Sequence, residues 1–479
     1  MLADYVIVGS GPAGCAFAAS VVSRDPTASI IIVERGDALD ASETRCAAFP
    51  SRVGVARSFR DAIARPFQTR VPSGTIAAVG GSSALNAGAF VDDPEYWASD
   101  WNDGGPADER WNPSAMRAAI KRVAALLGVR DEPAVLASPF VDACEGFRAQ
   151  RVVREAIPGV AGPLRAVFDG DVRAYAARLV PETARLLTGA EARRIVFRGD
   201  RTAVDIETKD GTLLVEARKR VVVAAGAEAS SRLLLRSGLE TPGLGERYCD
   251  HPTIVLPFVV FRPPTYGEPA FSAVAFDEDG AQFSYCGHQM LVGMVCLLGR
   301  SRLPFRFAFS AIAWLLSCLW RDGEEPFRVG ALLATVSRPT TAGVLRLNGD
   351  ALVSDAPPLD DHDRETLHRA RRQAQAILRR LHPSRLNTLL GAVVGRILGT
   401  LWHPAGGVPR GIALEPSNLR LRGTSNVHVI GVAAMPRLPR GFPMASCYAM
   451  GWRLGEILQE EEEEELKGSP PGSTDFPPG

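Results

Sequence analysis

The chain has 479 residues, too many for one ordinary core, so two domains or one elaborated α/β unit is expected. Apolar residues make up 46% and charged residues 23%, the profile of a globular protein. Basic and acidic residues balance at 54 each, so no basic excess points to a nucleic-acid partner and no acidic excess points to disorder outside the C-terminal tail.

The first strand begins almost at once, at Tyr5, which leaves no room for a signal peptide and makes a cytoplasmic protein the expectation. DYVIVGSGPAGCAFAASVV reads as an apolar strand, a glycine turn and a helix, and ASIIIVERG as the second strand of a βαβ unit. Residues 77–90, AAVGGSSALNAGAF, are a run of small residues that can lie against a flat ring or a diphosphate. RKRVVVAAGAEASSRLLLRSGL, 218–239, repeats the strand, small turn and helix. Residues 251–300 alternate apolar and polar in short runs, as an antiparallel sheet does.

FAFSAIAWLLSCLW, 307–320, is uncharged but shorter than the roughly 20 residues of a spanning helix. It reads either as a buried helix or as a surface that touches a membrane or an apolar partner. Residues 359–381 form an amphipathic helix that opens with acidic residues. NVHVIGVAAMP, 426–436, is another strand entering a turn, and MASCYAMGWRLGEIL is a closing helix. The six glutamates from Glu460, followed by Pro, Gly and Ser, read as a frayed helix end and then disorder. The eight cysteines are scattered without a C-x-x-C pair, which suits reduced thiols, and no Cys/His spacing resembles a zinc site.

Gly9, Gly11 and Gly14 fit G-x-G-x-x-G. Gly9 permits the turn, Gly11 admits a pyrophosphate, and Gly14 lets helix and strand approach. Twenty residues after Gly14, Glu34 ends the second strand, where a carboxylate accepts ribose hydroxyls. The pattern alone does not separate FAD from NAD. Its N-terminal placement, with the VVVAAGA strand some 210 residues later, favours a flavoprotein.

With the second glycine run in view, the sequence resembles the glucose–methanol–choline (GMC) oxidoreductases, a family of FAD enzymes. Gly80, Gly81, Ser82, Ser83 and Asn86 match the family's G-G-S-S-x-x-N stretch. VVVAAGAEASSRLLLRSGL, ERYCDHP (246–252), SRPTTAGVLRL (337–347), HPAGG (403–407) and AAMPRLPRG (433–441) resemble further family segments in the family's order; 337–347 resembles a strand of the substrate domain. The resemblance implies a Rossmann-like α/β FAD-binding domain made of 1–95, 165–250 and 400–459. Into it is inserted an α+β substrate domain on an antiparallel sheet, 96–164 and 251–399. It implies that Ala192, Ala225, Gly226, Gly431 and Met444 also contact FAD. No histidine suggests covalent attachment, so non-covalent FAD is expected.

By the same resemblance His403, one of seven histidines, aligns with the active-site base of alcohol oxidation, and the tight turn after it would let the flavin edge approach. A neutral imidazole suits that role, its reference pKa of about 6.5 lying near cellular pH; the alternative is a packed structural histidine. The family usually carries a second His or Asn after the Met-Pro. Here Phe442 and Met444 stand there, which points to a different substrate, a single base or lost alcohol oxidation. His251 reads as structural or near FAD, His362, His368 and His382 as solvated, His428 as a sheet residue, and His288 as a pocket candidate. A narrower resemblance, to the mycofactocin-associated GMC dehydrogenases, implies a redox-peptide substrate and electron delivery towards a respiratory chain. The apolar 307–320 run suits a membrane-associated acceptor. An oxygen-using oxidase and a non-catalytic flavin-binding docking protein remain the competing readings.

Overall fold

The computed structural model describes residues 1–38, 77–84, 90–103, 105–129, 140, 143–144, 151–152, 168–169, 172–173, 175–199, 201–261, 271–277, 279–286, 327–393 and 398–468. The chain opens with β1 (Leu2–Val8), α1 (Pro12–Arg24) and β2 (Ile30–Val33). The helices α2 (Pro94–Ala98) and α3 (Pro113–Leu127) follow; the Asn112 side chain caps α3 and Gly128 closes it in the left-handed region. Next come β3 (Arg185–Leu187), β4 (Glu191–Arg198), β5 (Arg201–Thr208), β6 (Gly211–Val223) and α4 (Ala227–Arg236).

A second group contains β7 (Pro252–Phe261), β8 (Phe271–Phe276), β9 (Ala281–Cys286) and β10 (Phe327–Val336). The hairpin β11 (Val344–Asn348) and β12 (Ala351–Asp355) leads to α5 (Asp361–Leu381), whose N-cap Asp360 accepts the Asp363 N–H. Then follow α6 (Arg385–Val393), β13 (Leu398–Thr400), β14 (Val427–Val429) and α7 (Met444–Gly468).

Two sheets organise these elements. The first runs β3-β2-β1-β6-β5-β4, with β14 also on β6. β1 is parallel to β2 and to β6, and β2 is buried along its whole length, as a strand covered on both faces must be. One edge of the 13-residue β6 takes β1; the other takes antiparallel β5 along its first half and parallel β14 at its end. β6 thus joins a hairpin meander to the end of the chain. The second sheet, β13-β7-β10-β9-β8, is antiparallel throughout, with Arg151–Val152 at its far edge. The strand read from 337–347 does not join it: β11 and β12 form their own hairpin beside α4.

The apolar core divides accordingly. One cluster gathers β1, β2, β6, α1 and α7 together with Trp97, Trp101, Trp111 and Met116. Residues 96–127, assigned to the inserted domain from sequence, therefore pack with the first sheet, because their indoles find their apolar neighbours there. The second cluster joins Phe140, Cys144, β7, β9 and β10 to the inner face of α5. The acidic tail also differs from expectation. α7 runs through all six glutamates: Glu461 pairs with Arg110 at 3.1 Å, while Glu462 takes Lys219 and the Tyr5 hydroxyl, each at 2.8 Å. Residues 307–320 and 469–479 lie outside the described residues. Among the described residues no helix is long and apolar enough to cross a membrane.

α7 lies on α1 with almost no spacing. A Cβ at Gly451 would sit 2.0 Å from the Ala13 carbonyl oxygen, and one at Gly455 would sit 2.6 Å from the Ser20 Cβ. Gly391 in α6 is different: its nearest neighbour would be the Leu256 Cδ2 at 3.7 Å, ordinary contact. Gly451→Ala should therefore lower the melting temperature through a loss of about 1–3 kcal/mol of stability. Gly391→Ala should be neutral or stabilise by up to about 1 kcal/mol. Equal effects in thermal unfolding would contradict this account of the helix pair.

Candidate active site

The cradle begins where β1 ends. Gly9 has φ +102°, and a Cβ there would meet the Ala224 carbonyl at 2.6 Å and the Ala225 Cα at 2.9 Å. At Gly14 it would meet the Gly9 oxygen at 2.2 Å. Gly11 differs, since the nearest atom to its Cβ position is 4.0 Å away. Gly9 and Gly14 thus close the turn against the protein, while Gly11 faces open space. No side chain caps α1, so its first N–H groups and its positive end are left for an anion.

Glu34, 6% exposed, ends beside this turn. It accepts the Ser10 N–H at 3.1 Å, the Ser10 hydroxyl at 2.7 Å and the Gly36 N–H at 2.8 Å. Burial raises its pKa and these hydrogen bonds oppose the rise. An ionised carboxylate has about four acceptor positions, so capacity for a ribose hydroxyl remains. An uncapped helix start, an open Gly11 and an unfilled acidic acceptor fit the adenosine diphosphate portion of FAD.

The second glycine run docks on the first. The Gly80 N–H donates to the Ser10 hydroxyl at 3.1 Å, and a Cβ at Gly81 would lie 3.1 Å from the Gly11 Cα. Ser82 is exposed on the Gly81–Ala84 turn. Ser83 is buried, its hydroxyl donating to the Gly80 carbonyl at 2.6 Å. Asn86 lies outside the described residues. Ala225 and Gly226 begin α4 beside Gly9. Gly431 (φ +80°) opens a short turn, where a Cβ would lie 3.3 Å from the Ala13 Cβ, and Met444 starts α7, 7% exposed. Ala192 stands apart, on β4 at the far edge of the sheet, two residues after Ala190, whose N–H donates to the Glu34 carbonyl.

Main-chain bonds lead from the cradle to His403. The Gly406, Val408 and Arg410 N–H groups donate to the Val432, Ala433 and Ala434 carbonyls at 2.9, 3.0 and 3.0 Å. Ala405 pairs with Cys249 in both directions. The glycines after His403 serve this packing. A Cβ at Gly406 would fall 1.9 Å from the Arg247 carbonyl, and one at Gly407 would fall 2.2 Å from the Ser231 hydroxyl. Trp402 is held at φ +57°, unusual for a large residue, by its N–H bond to the Thr400 hydroxyl at 2.7 Å.

His403 is half-buried, and its N–H donates to Asp250 Oδ1 at 3.0 Å. The same oxygen accepts the His251 N–H at 2.7 Å, and Asp250 Oδ2 accepts the Thr400 hydroxyl at 2.7 Å. Two rings flank the imidazole edge to face, His251 and Phe442, each with its centroid 5.5 Å away. Burial first, and then His251, push the His403 pKa well below its usual range, so the ring is neutral.

Sequence reasoning missed what holds Phe442 there. Arg440 and Asp93, 8% and 1% exposed, pair at 2.8 Å, and the Arg440 N–H also donates to Asp93 at 2.9 Å. The next N–H, Gly441, donates to Gln282 of β9 at 3.1 Å. The loop is thus tied to the start of α2 and to the second sheet. Other histidines are structural. His428 bonds the Asn418 carbonyl at 2.9 Å, and His382, expected in solvent, stacks on Phe258 at 4.5 Å. His362 and His368 are exposed, and His288 lies outside the described residues. Ser446, the polar residue nearest in sequence to Met444, is buried at 1% exposure.

The Asp250 clamp has a pH signature. Burial raises its pKa from 3.8 to about 6, against the three hydrogen bonds it accepts. A carboxyl that holds its proton more tightly when folded favours the folded state below about pH 4, and that contribution is lost as pH rises through 6. Asp250→Asn keeps acceptors for both histidine N–H groups without the titration. The wild-type minus variant difference in melting temperature should fall between about pH 4 and pH 7 and level off above. A difference that stays flat across that range would remove the clamp's titration.

Comparison with known proteins agrees with this fold. The GMC oxidoreductase N-terminal family model matches residues 3–253 and the C-terminal one residues 339–451. A GMC-type oxidoreductase of Mycobacterium tuberculosis is 25% identical over 549 aligned positions, covering 95% of this chain and 99% of that protein. Choline oxidase of Arthrobacter globiformis is 23% identical over 328 positions, 58% of this chain and 56% of its own. The crystal structure of pyridoxine 4-oxidase from Mesorbium loti superposes with a TM-score of 0.69 at 19% identity, over 96% of this chain and 99% of that one, and shows the same fold. With two family models covering most of its length, this chain belongs to the GMC oxidoreductases, FAD-dependent enzymes that act on CH–OH groups.

Proposed function

We propose that the chain is a dehydrogenase of hydroxyl-bearing substrates in which His403 Nε2 takes the hydroxyl proton. The observation that carries this reading is one neutral, half-buried imidazole held at the end of a run of main-chain bonds from the dinucleotide cradle. Bound FAD supplies the acceptor for the hydride that leaves the carbinol carbon. The cradle of Gly9, Gly11, Gly14, Gly80 and Gly81 would hold its diphosphate, and Glu34 a ribose hydroxyl. His403 would contribute a lone pair close to the substrate, and Phe442 packs against that ring edge to face. With Phe442 and Met444 where the family resemblance leads to a second His or Asn, the chemistry rests on a single base.

The electrons pass to an acceptor other than oxygen. The uncharged 307–320 sequence supports an acceptor held at a membrane, and the redox peptide mycofactocinol belongs among the candidate substrates. The relative named choline oxidase motivates the rival, an oxygen-using oxidase.

Anaerobic mixing of the yellow holoprotein with primary alcohols, choline, pyridoxine and mycofactocinol should find a substrate that bleaches the flavin. His403→Asn should keep the flavin and slow bleaching by about 10²–10⁴. Unchanged bleaching would remove His403 as the base, and no bleaching with any compound would favour a flavin-binding docking protein. Reduced enzyme should reoxidise in air-saturated buffer far more slowly than it is bleached; reoxidation as fast as bleaching would make it an oxidase.

A further inference from the structure

His251 and His403 lie 152 residues apart in sequence, yet their Nδ1 atoms face each other at 3.3 Å with the rings at 87°. Two lone pairs at that distance repel and two N–H groups collide, so one Nδ1 carries a proton and the other does not. Both rings are neutral, burial pushing His251 down to about 4 and His403 well below its usual range. The surroundings of His251 decide which ring donates. His251 has no exposed surface, and its Nε2 is enclosed without a well-formed hydrogen bond among the described residues. The acceptors beside that imidazole are the Ser337 and Pro439 main-chain carbonyls. A bare lone pair among carbonyl oxygens would be an acceptor buried against acceptors, whereas an N–H directed at them is favourable even in loose geometry.

We propose that His251 is the positioning residue for His403: it keeps its own proton on Nε2, accepts the His403 Nδ1–H, and leaves His403 Nε2 bare for the substrate hydroxyl. This deepens the reading of His403 as the base and rests on it. The His403 Nε2 makes no hydrogen bond among the described residues and is not one of their enclosed unpaired atoms. A single oxygen, Asp250 Oδ1, binds both histidine N–H groups, so the spacing of the pair is fixed from one point. When the hydroxyl proton arrives at Nε2, the Nδ1–H is already in place and the cation is shared with a neutral acceptor. Unlike a carboxylate, a neutral partner selects the tautomer without making the base strong.

The test needs a readout besides turnover. In ¹⁵N-histidine-labelled holoprotein, two-bond ¹H–¹⁵N spectra report which nitrogen of each ring is protonated; signals are assigned from the spectra of His403→Gln and His251→Asn. Wild-type protein should show His403 protonated at Nδ1 and His251 at Nε2. His403 protonated at Nε2 would overturn the proposal. In His251→Asn the side-chain oxygen falls where Nδ1 was, so the His403 tautomer and the flavin-reduction rate should be retained. In His251→Gln the amide falls at the Nε2 end; His403 should show mixed tautomers, and reduction by the best alcohol should slow about tenfold, the worth of one neutral hydrogen bond. Equal behaviour of the two variants would reduce His251 to a packing role. Failure of the dyad thus appears in the spectra, and failure of the base reading appears in the His403→Asn kinetics.

Discussion

Between Gly9 and Ala224 there is no room for a carbon atom. The turn after β1 closes on the end of β6 so tightly that a side chain at Gly9 would strike a carbonyl. Overpacking of this kind costs about 1–3 kcal/mol when side chains can move, and more against main chain. The close approach levels the ends of β1 and β6, places the start of α1 in front of them, and gives Gly81 and Gly431 fixed surfaces to pack on. Because the Gly431 turn takes the N–H groups of 406–410, the position of His403 is inherited from this one contact. The nucleotide cradle and the candidate base are parts of one rigid unit.

The second constraint is electrical. Leaving an isolated charge in a low-dielectric interior costs far more than leaving a neutral polar group, so buried imidazoles give up their protons. His251, His382, His403 and His428 are all pushed down by burial. Only His403 combines that neutrality with partial exposure and a position along the path to the cradle. Neutrality alone is therefore not a mark of function: His428 has it while bonded to a carbonyl inside a sheet. The reading depends on the main-chain route that aims the ring.

The sequence carried the parts of the fold that are local. The G-x-G-x-x-G turn, Glu34 at the end of β2, the closing helix and the 359–381 helix have short periods or fixed spacings, and they stand where they were expected. What escaped is long-range. The Arg440–Asp93 pair spans 347 residues, and no local pattern marks either partner. The His251–His403 contact depends on the β7–β13 register and on a loop fixed by Asp250. Trp97, Trp101 and Trp111 carry no label saying which of two cores they fill, so the domain edge was drawn too early. The acidic tail misled because like charges suggest repulsion. Here Arg110, Arg453 and Lys219, contributed from elsewhere in the chain and from α7 itself, neutralise it. Nor does the sequence show that Gly406 and Gly407 make room for Arg247 and α4.

If His403 is the base, as proposed, Phe442 in place of a second polar residue changes what that base must do. Flanked by two perpendicular rings, the His403 imidazole is held by edge-to-face contacts whose preference is about 0.5–1.5 kcal/mol each for aromatic pairs. They define its plane but offer a new cation little solvation. Asp250 accepts the His403 main-chain N–H, and burial raises its carboxyl pKa to about 6, so it is ionised at neutral pH. On the proposed reading a single base would take the hydroxyl proton, at a ring whose orientation is set by His251 and Phe442 on its flanks and by the main-chain bond to Asp250.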